Sequence, residues 1–478
     1  MLFNSFEFAI FFIVVFALYW KLPHRVQNVL LFVASYIFYG LWSWKFLSLL
    51  FLCTLVSYFT ANRIVASSDV KGRRFWLLCG LIFNLGVLLV FKYCNFFLEN
   101  FYDFLGVFGV HPAKNFFNFV LPVGLSFFTF QAMSYTIDVY RKVMKPTKVF
   151  FDYMAYLSFF PQLVSGPIGR APVLLPQFIN PRKFDSAQLT QGVYLIFWGT
   201  FQKMFVADNL ARIVGPVFSS PGSYGAGDVL VAMYAFTMQL YCDFAGYSNI
   251  ARGLGLTLGF NLMINFQLPF WATNVQDFWN RWHISLSFWV RDYMYFPLMG
   301  ALRAIRGNAR IYAAVVLSMT LMGLWHGAAW HFVTFGLYYG ILICLLILIR
   351  LRWANLIAPK EPWAQSLWFW ARMLFMFNLT TSAMLLFRAS SLSNAGEIIS
   401  RLGVFASSNS MGWEAWGKLI GFSLPVFIME YVELKTNDQF FIFNKMSWLP
   451  RVALLAFLAY LVFGWGAMTA EEFIYFQF

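Results

Sequence analysis

The sequence predicts an all-α polytopic membrane protein, and three observations carry that prediction. Sixty percent of the 478 residues are hydrophobic and only 11% are charged. Apolar runs of the length that crosses a bilayer, about 17 to 25 residues, recur along the chain. The basic residues collect in short loops beside those runs, where such residues set orientation.

The spans can be taken in order. The first apolar run, "FEFAIFFIVVFALYW", lacks a basic leader and a small-residue cleavage site, so it is expected to remain as a helix. Lys21 and Arg25 follow the first span, Arg63, Lys71, Arg73 and Arg74 the third, and Arg141, Lys142, Lys145 and Lys148 the fifth. The intervening connections, near Ser43 and over 99–118, are short or weakly charged. This alternation predicts an extracytoplasmic N-terminus and cytoplasmic basic loops. Arg303, Arg306 and Arg310, then Arg350, Arg352 and Lys360, mark further cytoplasmic stretches. From there, spans near 367–387, 419–432 and 453–465 carry the chain out, in and out again. A single transmembrane domain over 1–467 is therefore expected, with an extracytoplasmic tail over 468–478.

Several function classes are disfavoured. The formal charge of +14 could suit nucleic acid, but loop basic residues beside apolar spans already account for it. The five cysteines, Cys53, Cys79, Cys94, Cys242 and Cys344, stand singly without CxxC spacing, so neither disulfides nor a thiolate metal site is expected. His326 and His331 are five residues apart, which separates them around a helix. No HExxH and no GxxxxGK[ST] appears, and no metal site is expected.

Between Phe150 and Trp330 the apolar pattern is repeatedly broken. "FFPQLVSGPIGRAPVLLPQF" holds Pro161, Pro167, Pro172 and Pro176, which argues against one continuous helix. Two readings stand: a re-entrant element enclosed by protein, or a cytoplasmic loop with proline turns, which Arg170 and Arg182 would suit. "YCDFAGYSNIARGLGLTLGF" places Asp243 in an apolar run, with Gly253, Gly255 and Gly259 after it. A carboxylate there needs an interior partner, and an arginine is expected, in a structural role. His283 lies in "DFWNRWHISLSFWVRDYMYFPL" and His326 in "LMGLWHGAAWHFVTFG". Histidine can exchange a proton near neutrality, and a lone one at the end of an apolar span serves either as a helix hydrogen-bonding residue or as a base. Gly327 after it would let another group approach closely.

These residues resemble a known family, the membrane-bound O-acyltransferases. The resemblance lies in an ordered set: "LPVGLSFFTFQAMSYTIDVYR", "FFPQLVSGPIGR", "YCDFAGYSNIARGLGLTLGF", "FWNRWHISLSFWVRDYMYFPL", "GLWHGAAW" and "LLFRA" at 385–389. Each motif is weak alone, and together they cover a catalytic core of about 120–390 in the order of the bacterial polysaccharide branch. That branch includes alginate and peptidoglycan O-acetyltransferases and the D-alanyl transferase of teichoic acid. The resemblance implies a ring of helices, some broken or re-entrant, around a central tunnel. It implies His326 as the catalytic histidine and His283 as the second signature histidine, and it leaves His331 unassigned. It further implies acetyl-CoA as a cytoplasmic acyl donor with no permanently bound cofactor, and basic loop residues could meet the coenzyme A phosphates.

The ending "FIYFQF" is similar to the F-x-Y-x-x-F terminus of the small membrane protein that works beside D-alanyl transferases. By that resemblance Tyr475 would carry an acyl group, and Phe473 and Phe478 would guide the tail. An alginate-type relative is not expected to end this way. The plainer reading of the tail is an aromatic anchor at the membrane surface. The expected function is acetyl transfer across a bacterial inner membrane to an extracytoplasmic SGNH-type partner with a serine nucleophile. That partner would modify peptidoglycan or, second, alginate or another exopolysaccharide. A transporter lined by broken helices and Asp243, or a scaffold, are the rivals; acetyl-CoA consumption separates them.

Overall fold

The computed structural model describes residues 2–111, 113, 116–117, 119–353, 359, 361–405, 410–467 and 473–474. Every regular element among the described residues is helical. Seven helical stretches are long and apolar enough to cross a membrane, as the apolar runs predict. The chain packs as two compact units, Met1–Ile196 with Ile250–Met263, and Phe197–Asn249 with Ile264–Phe478.

The first unit contains α1 (Phe6–Tyr19), α2 (His24–Ser43), α3 (Leu47–Ala66), α4 (Val70–Leu88), α5 (Cys94–Val107), α6 (Leu125–Tyr140), α7 (Phe150–Leu157), α8 (Phe160–Leu163) and α9 (Ala171–Ile179), and most of α10 (Ser186–Phe201). Its outer face is apolar, with Phe6, Val107 and Ile82 exposed, while polar residues turn inward, the arrangement lipid demands. In α6 the buried hydroxyls of Thr129 and Thr136 donate to the carbonyls of Leu125 and Ala132, one turn earlier. That satisfies them without water. The proline-rich stretch forms two short helices, α8 and α9, instead of one. Pro161 and Pro172 occupy first turns, where the missing N–H costs nothing, and Pro176 lies within α9. Residues 153–169 are all buried, so this stretch is enclosed by protein and is not an exposed loop.

The second unit contains α11 (Asp208–Ser219), most of α12 (Ala226–Thr257), α13 (Val275–Arg281), α14 (Ile284–Val290), α15 (Phe296–Ala301), α16 (Asn308–His326), α17 (Trp330–Trp353), α18 (Pro362–Arg388), α19 (Leu392–Arg401), α20 (Gly412–Thr436), α21 (Phe441–Asn444) and α22 (Trp448–Trp465). A π-helical turn, Gln202–Ala207, joins α10 to α11. α12 runs unbroken past Gly253 and Gly255. Some 83% of its apolar window is buried, against 11% for α22, so α12 is an interior wall and α22 a lipid-facing span.

Candidate active site

His283 sits where two short helices meet. It follows Trp282 at the end of α13 and caps α14 with φ 43°, a left-handed conformation that a side chain adopts only when its surroundings hold it. Asn265 supplies that hold. Its backbone carbonyl accepts the Ile284 N–H at 2.9 Å, and its side-chain oxygen accepts the Ser285 N–H at 3.3 Å and the Ser285 hydroxyl at 3.0 Å. The same oxygen lies 3.0 Å from His283 Nδ1. Because a backbone N–H can only donate, the atom facing it must be the amide oxygen. His283 Nδ1 therefore carries a proton in the neutral ring, and Nε2 is the basic nitrogen. Asn265 Nδ2 in turn donates to Ser248 Oγ on α12 at 3.1 Å. The imidazole is fully buried, edge-on to Phe244 of α12 with ring centres 4.7 Å apart.

His326 ends α16, and Gly327 turns the chain into an extended conformation. The close approach that Gly327 was expected to allow is made by Phe332, whose ring occupies the space a Cβ would need. The His326 ring is buried against Trp325, Phe335 and Phe387, the last 5.2 Å between centres. Trp325 brings the two signature histidines together: its ring lies 4.9 Å from His326 and 6.2 Å from His283. His331 has a different task. Its Nδ1 lies 3.0 Å from the Leu386 carbonyl, tying α17 to α18 within the "LLFRA" segment. The arrangement sets two buried imidazoles against one indole, with the tautomer of His283 fixed by Asn265.

Asp243 pairs with a lysine, not with the arginine expected. Lys203 Nζ, from the π-helical turn, lies 2.7 Å from Asp243 Oδ1 and 2.7 Å from Asp208 Oδ1, and all three side chains are buried. Asp243 Oδ2 accepts the Ile474 N–H at 2.9 Å. Phe473, buried, lies beneath Lys203, with Nζ 4.6 Å from its ring centre, and Tyr247 meets the same ring edge-on at 4.6 Å. Tyr475 and Phe478, and with them Glu471 and Glu472, fall outside the described residues. Of the residues singled out in the sequence, His283, His326, Asp243 and Phe473 therefore lie in the same unit. Lys203, Asn265 and Tyr247 were missed. A lysine in "FWGTFQKMFVADNL" is a charge in an apolar stretch and was a readable signal; Asn265 and Tyr247 carried none. Among the described residues no cluster of three or more His, Cys, Asp or Glu forms a metal site.

Comparison with known proteins bears on the chemistry. The family model for MBOAT, the membrane-bound O-acyltransferase family, matches residues 147–388, an interval that holds both histidines, Lys203, Asp243 and Asn265. The chain is 37% identical over 402 residues to a probable alginate O-acetylase AlgI of Azotobacter vinelandii, covering 83% of this chain and 76% of that one. It is 32% identical over 395 residues to a peptidoglycan O-acetyltransferase of Helicobacter pylori, covering 77% and 72%. A teichoic acid D-alanyltransferase of Bacillus subtilis is 32% identical over 246 residues, 49% of this chain and 60% of that one. The chain accordingly belongs to the membrane-bound O-acyltransferase family and is a multi-pass membrane O-acyltransferase.

Proposed function

We propose that the protein moves acetyl groups from cytoplasmic acetyl-CoA across the membrane to an extracytoplasmic partner that O-acetylates a cell-envelope polysaccharide. His326 acts as general base toward the Tyr475 phenol, whose oxygen attacks the thioester carbonyl carbon. The C–S bond breaks, the coenzyme A thiolate takes up the proton, and Tyr475 is left as an aryl acetate. A phenol with an ordinary pKa of about 10 is protonated at neutral pH, so the reaction needs that base. A serine hydroxyl of an SGNH-type partner then takes the acetyl group, and the phenol is restored. His283, whose Nε2 accepts a hydrogen bond in the neutral ring, orients the donor; it can bind the reacting carbonyl only once Nε2 is protonated.

The observation that carries this reading is the docked C-terminal segment. Ile474 and Phe473 contact Asp243 and Tyr247 on α12, and the adjacent Phe244 contacts His283. A tail serving as a surface anchor would have no reason to bury Phe473 there. The polymer is argued from the relatives. The chain is similar to relatives of both kinds, the alginate O-acetylase at 37% identity and the peptidoglycan O-acetyltransferase at 32%. The tail motif favours peptidoglycan, and an alginate-type exopolysaccharide, acetylated without a tyrosine relay, is the second reading. Incubation of the purified protein with acetyl-CoA, followed by intact mass spectrometry, tests the relay. The expected result is a mass gain of one acetyl group located on Tyr475, and its absence under conditions where the partner becomes acetylated would overturn the carrier role.

A further inference from the structure

The Lys203, Asp208 and Asp243 cluster has no step in the transfer chemistry, yet it places one cation between two carboxylates inside an apolar protein. Taking such charges out of water is costly unless each is paired and hydrogen-bonded. Lys203 balances one of the two carboxylates, and the remaining negative charge suits a strong N–H donor. That donor is the backbone of Ile474, on Asp243 Oδ2 at 2.9 Å. The cation is used as well, since Phe473 presents its ring face to Lys203, a contact that strengthens when desolvated. Both halves of the ion pair thus grip consecutive residues of the C-terminal segment. The approach to it is held in the same way. Asn209 Nδ2 donates to the Trp465 carbonyl at 2.7 Å, and the Ala467 N–H donates to the Met204 carbonyl at 3.0 Å. Met204 lies in the π-helical turn and Asn209 at the start of α11. Such turns free backbone carbonyls from the regular ladder and recur at functional sites.

We infer that Lys203 and Asp243 form a receptor for the chain's own C-terminal segment, with the π-helical turn as its second wall, and that they position whatever residue follows Ile474. The docking stands by itself; that it presents Tyr475 for acylation rests on the carrier reading above. Lys203 and Asp243 are positioning residues in this account.

Hydrogen–deuterium exchange of the full-length protein, read on the C-terminal peptide, tests the docking. The wild type should show a protected Ile474 amide. Phe473→Ala and Asp243→Ala should each speed its exchange about tenfold or more, the effect of losing one charge-assisted or cation–π contact, while the peptides of α12 keep their protection as evidence of folding. Tyr475→Phe should leave the protection intact whatever it does to acetyl transfer, so a failed carrier reading and a failed receptor are told apart. Ile474→Pro, which deletes the donated N–H and keeps the Tyr475 hydroxyl, should lower transfer about tenfold relative to Ile474→Ala. An unprotected Ile474 amide in the wild type, or unchanged protection in both receptor variants, overturns the docking. Full transfer by Ile474→Pro where Tyr475→Phe is inactive overturns the positioning role.

Discussion

His326 lies among Trp325, Phe335 and Phe387, so His326→Ala removes an imidazole from an aromatic setting that is otherwise kept. Acetyl transfer should fall about 10² to 10⁴-fold, the range for a lost general base, while the protein still inserts and purifies as a folded species. Near-normal transfer by that variant would remove His326 from the chemistry. Asn265 can be tested through His283. Asn265→Ala leaves His283 Nδ1, the Ser285 N–H and the Ser285 hydroxyl without their shared acceptor, and each stranded buried group costs about 1 to 3 kcal/mol. Both thermal stability and turnover should drop; an unchanged melting temperature would mean that Asn265 does not hold the turn. For the tail, Tyr475→Phe deletes one oxygen and keeps the ring. As a carrier it should lose polysaccharide acetylation at matched protein abundance, whereas an interfacial anchor would barely notice the change because the apolar area remains. The signature histidines were singled out by the motif resemblance, because a lone histidine at the end of an apolar span reads equally as a helix hydrogen-bonding residue or as a base. Asn265 was not, because its importance arises only when residues 265 and 283–285 meet.

Among the elements, α12 connects the C-terminal segment to the His283 turn. Asp243 and Tyr247, one turn apart, face the tail, while Phe244 and Ser248 face the His283 turn. This division follows from 3.6 residues per turn, which places i and i+4 on one stripe and their neighbours on the next. Gly246 lets that helix close on the other wall: a Cβ there would lie 2.7 Å from the Gly199 carbonyl oxygen and 3.2 Å from the Lys203 backbone nitrogen. Gly246→Val should therefore push α12 off the π-helical turn and separate Asp243 from Lys203, with an overpacking cost of about 1 to 3 kcal/mol. Thermal unfolding in detergent should register the loss, and a melting temperature equal to the wild type's would mean that the helices part without strain. The glycines of "ARGLGLTLGF" had no assigned use in the sequence. In the fold Gly253 and Gly255 allow close packing within a continuous helix, whereas Gly259, past its end, takes φ 81°; a glycine alone in a sequence cannot reveal which use applies. The prolines were read more securely, since a missing N–H and a fixed φ limit any helix they enter.

For the molecule as a whole, the loop arginines and lysines make orientation testable. In a background with the native cysteines replaced, Lys71→Cys should resist an impermeant label applied from outside, and Ala470→Cys should react with it. The reverse pattern would put the tail on the wrong side for any extracytoplasmic acceptor. The helical class and most of the membrane spans were determined by the sequence alone, because bilayer thickness and the absence of water there leave a chain of this composition few alternatives; the expected first span and the one near 419–432 are not among the seven stretches long and apolar enough to cross. The two signature histidines were picked out through the ordered set of motifs. Tertiary structure decided what stands beside them: that Asp243 meets Lys203 from 40 positions earlier, that Asn265 orients His283, that His331 ties α17 to α18, and that Phe473 and Ile474 return to the middle of α12. The physical reason is range. Hydropathy and charge act through the solvent around each residue and leave their mark locally, whereas a buried ion pair, a shared amide oxygen or a docked tail exists only between segments that folding brings together.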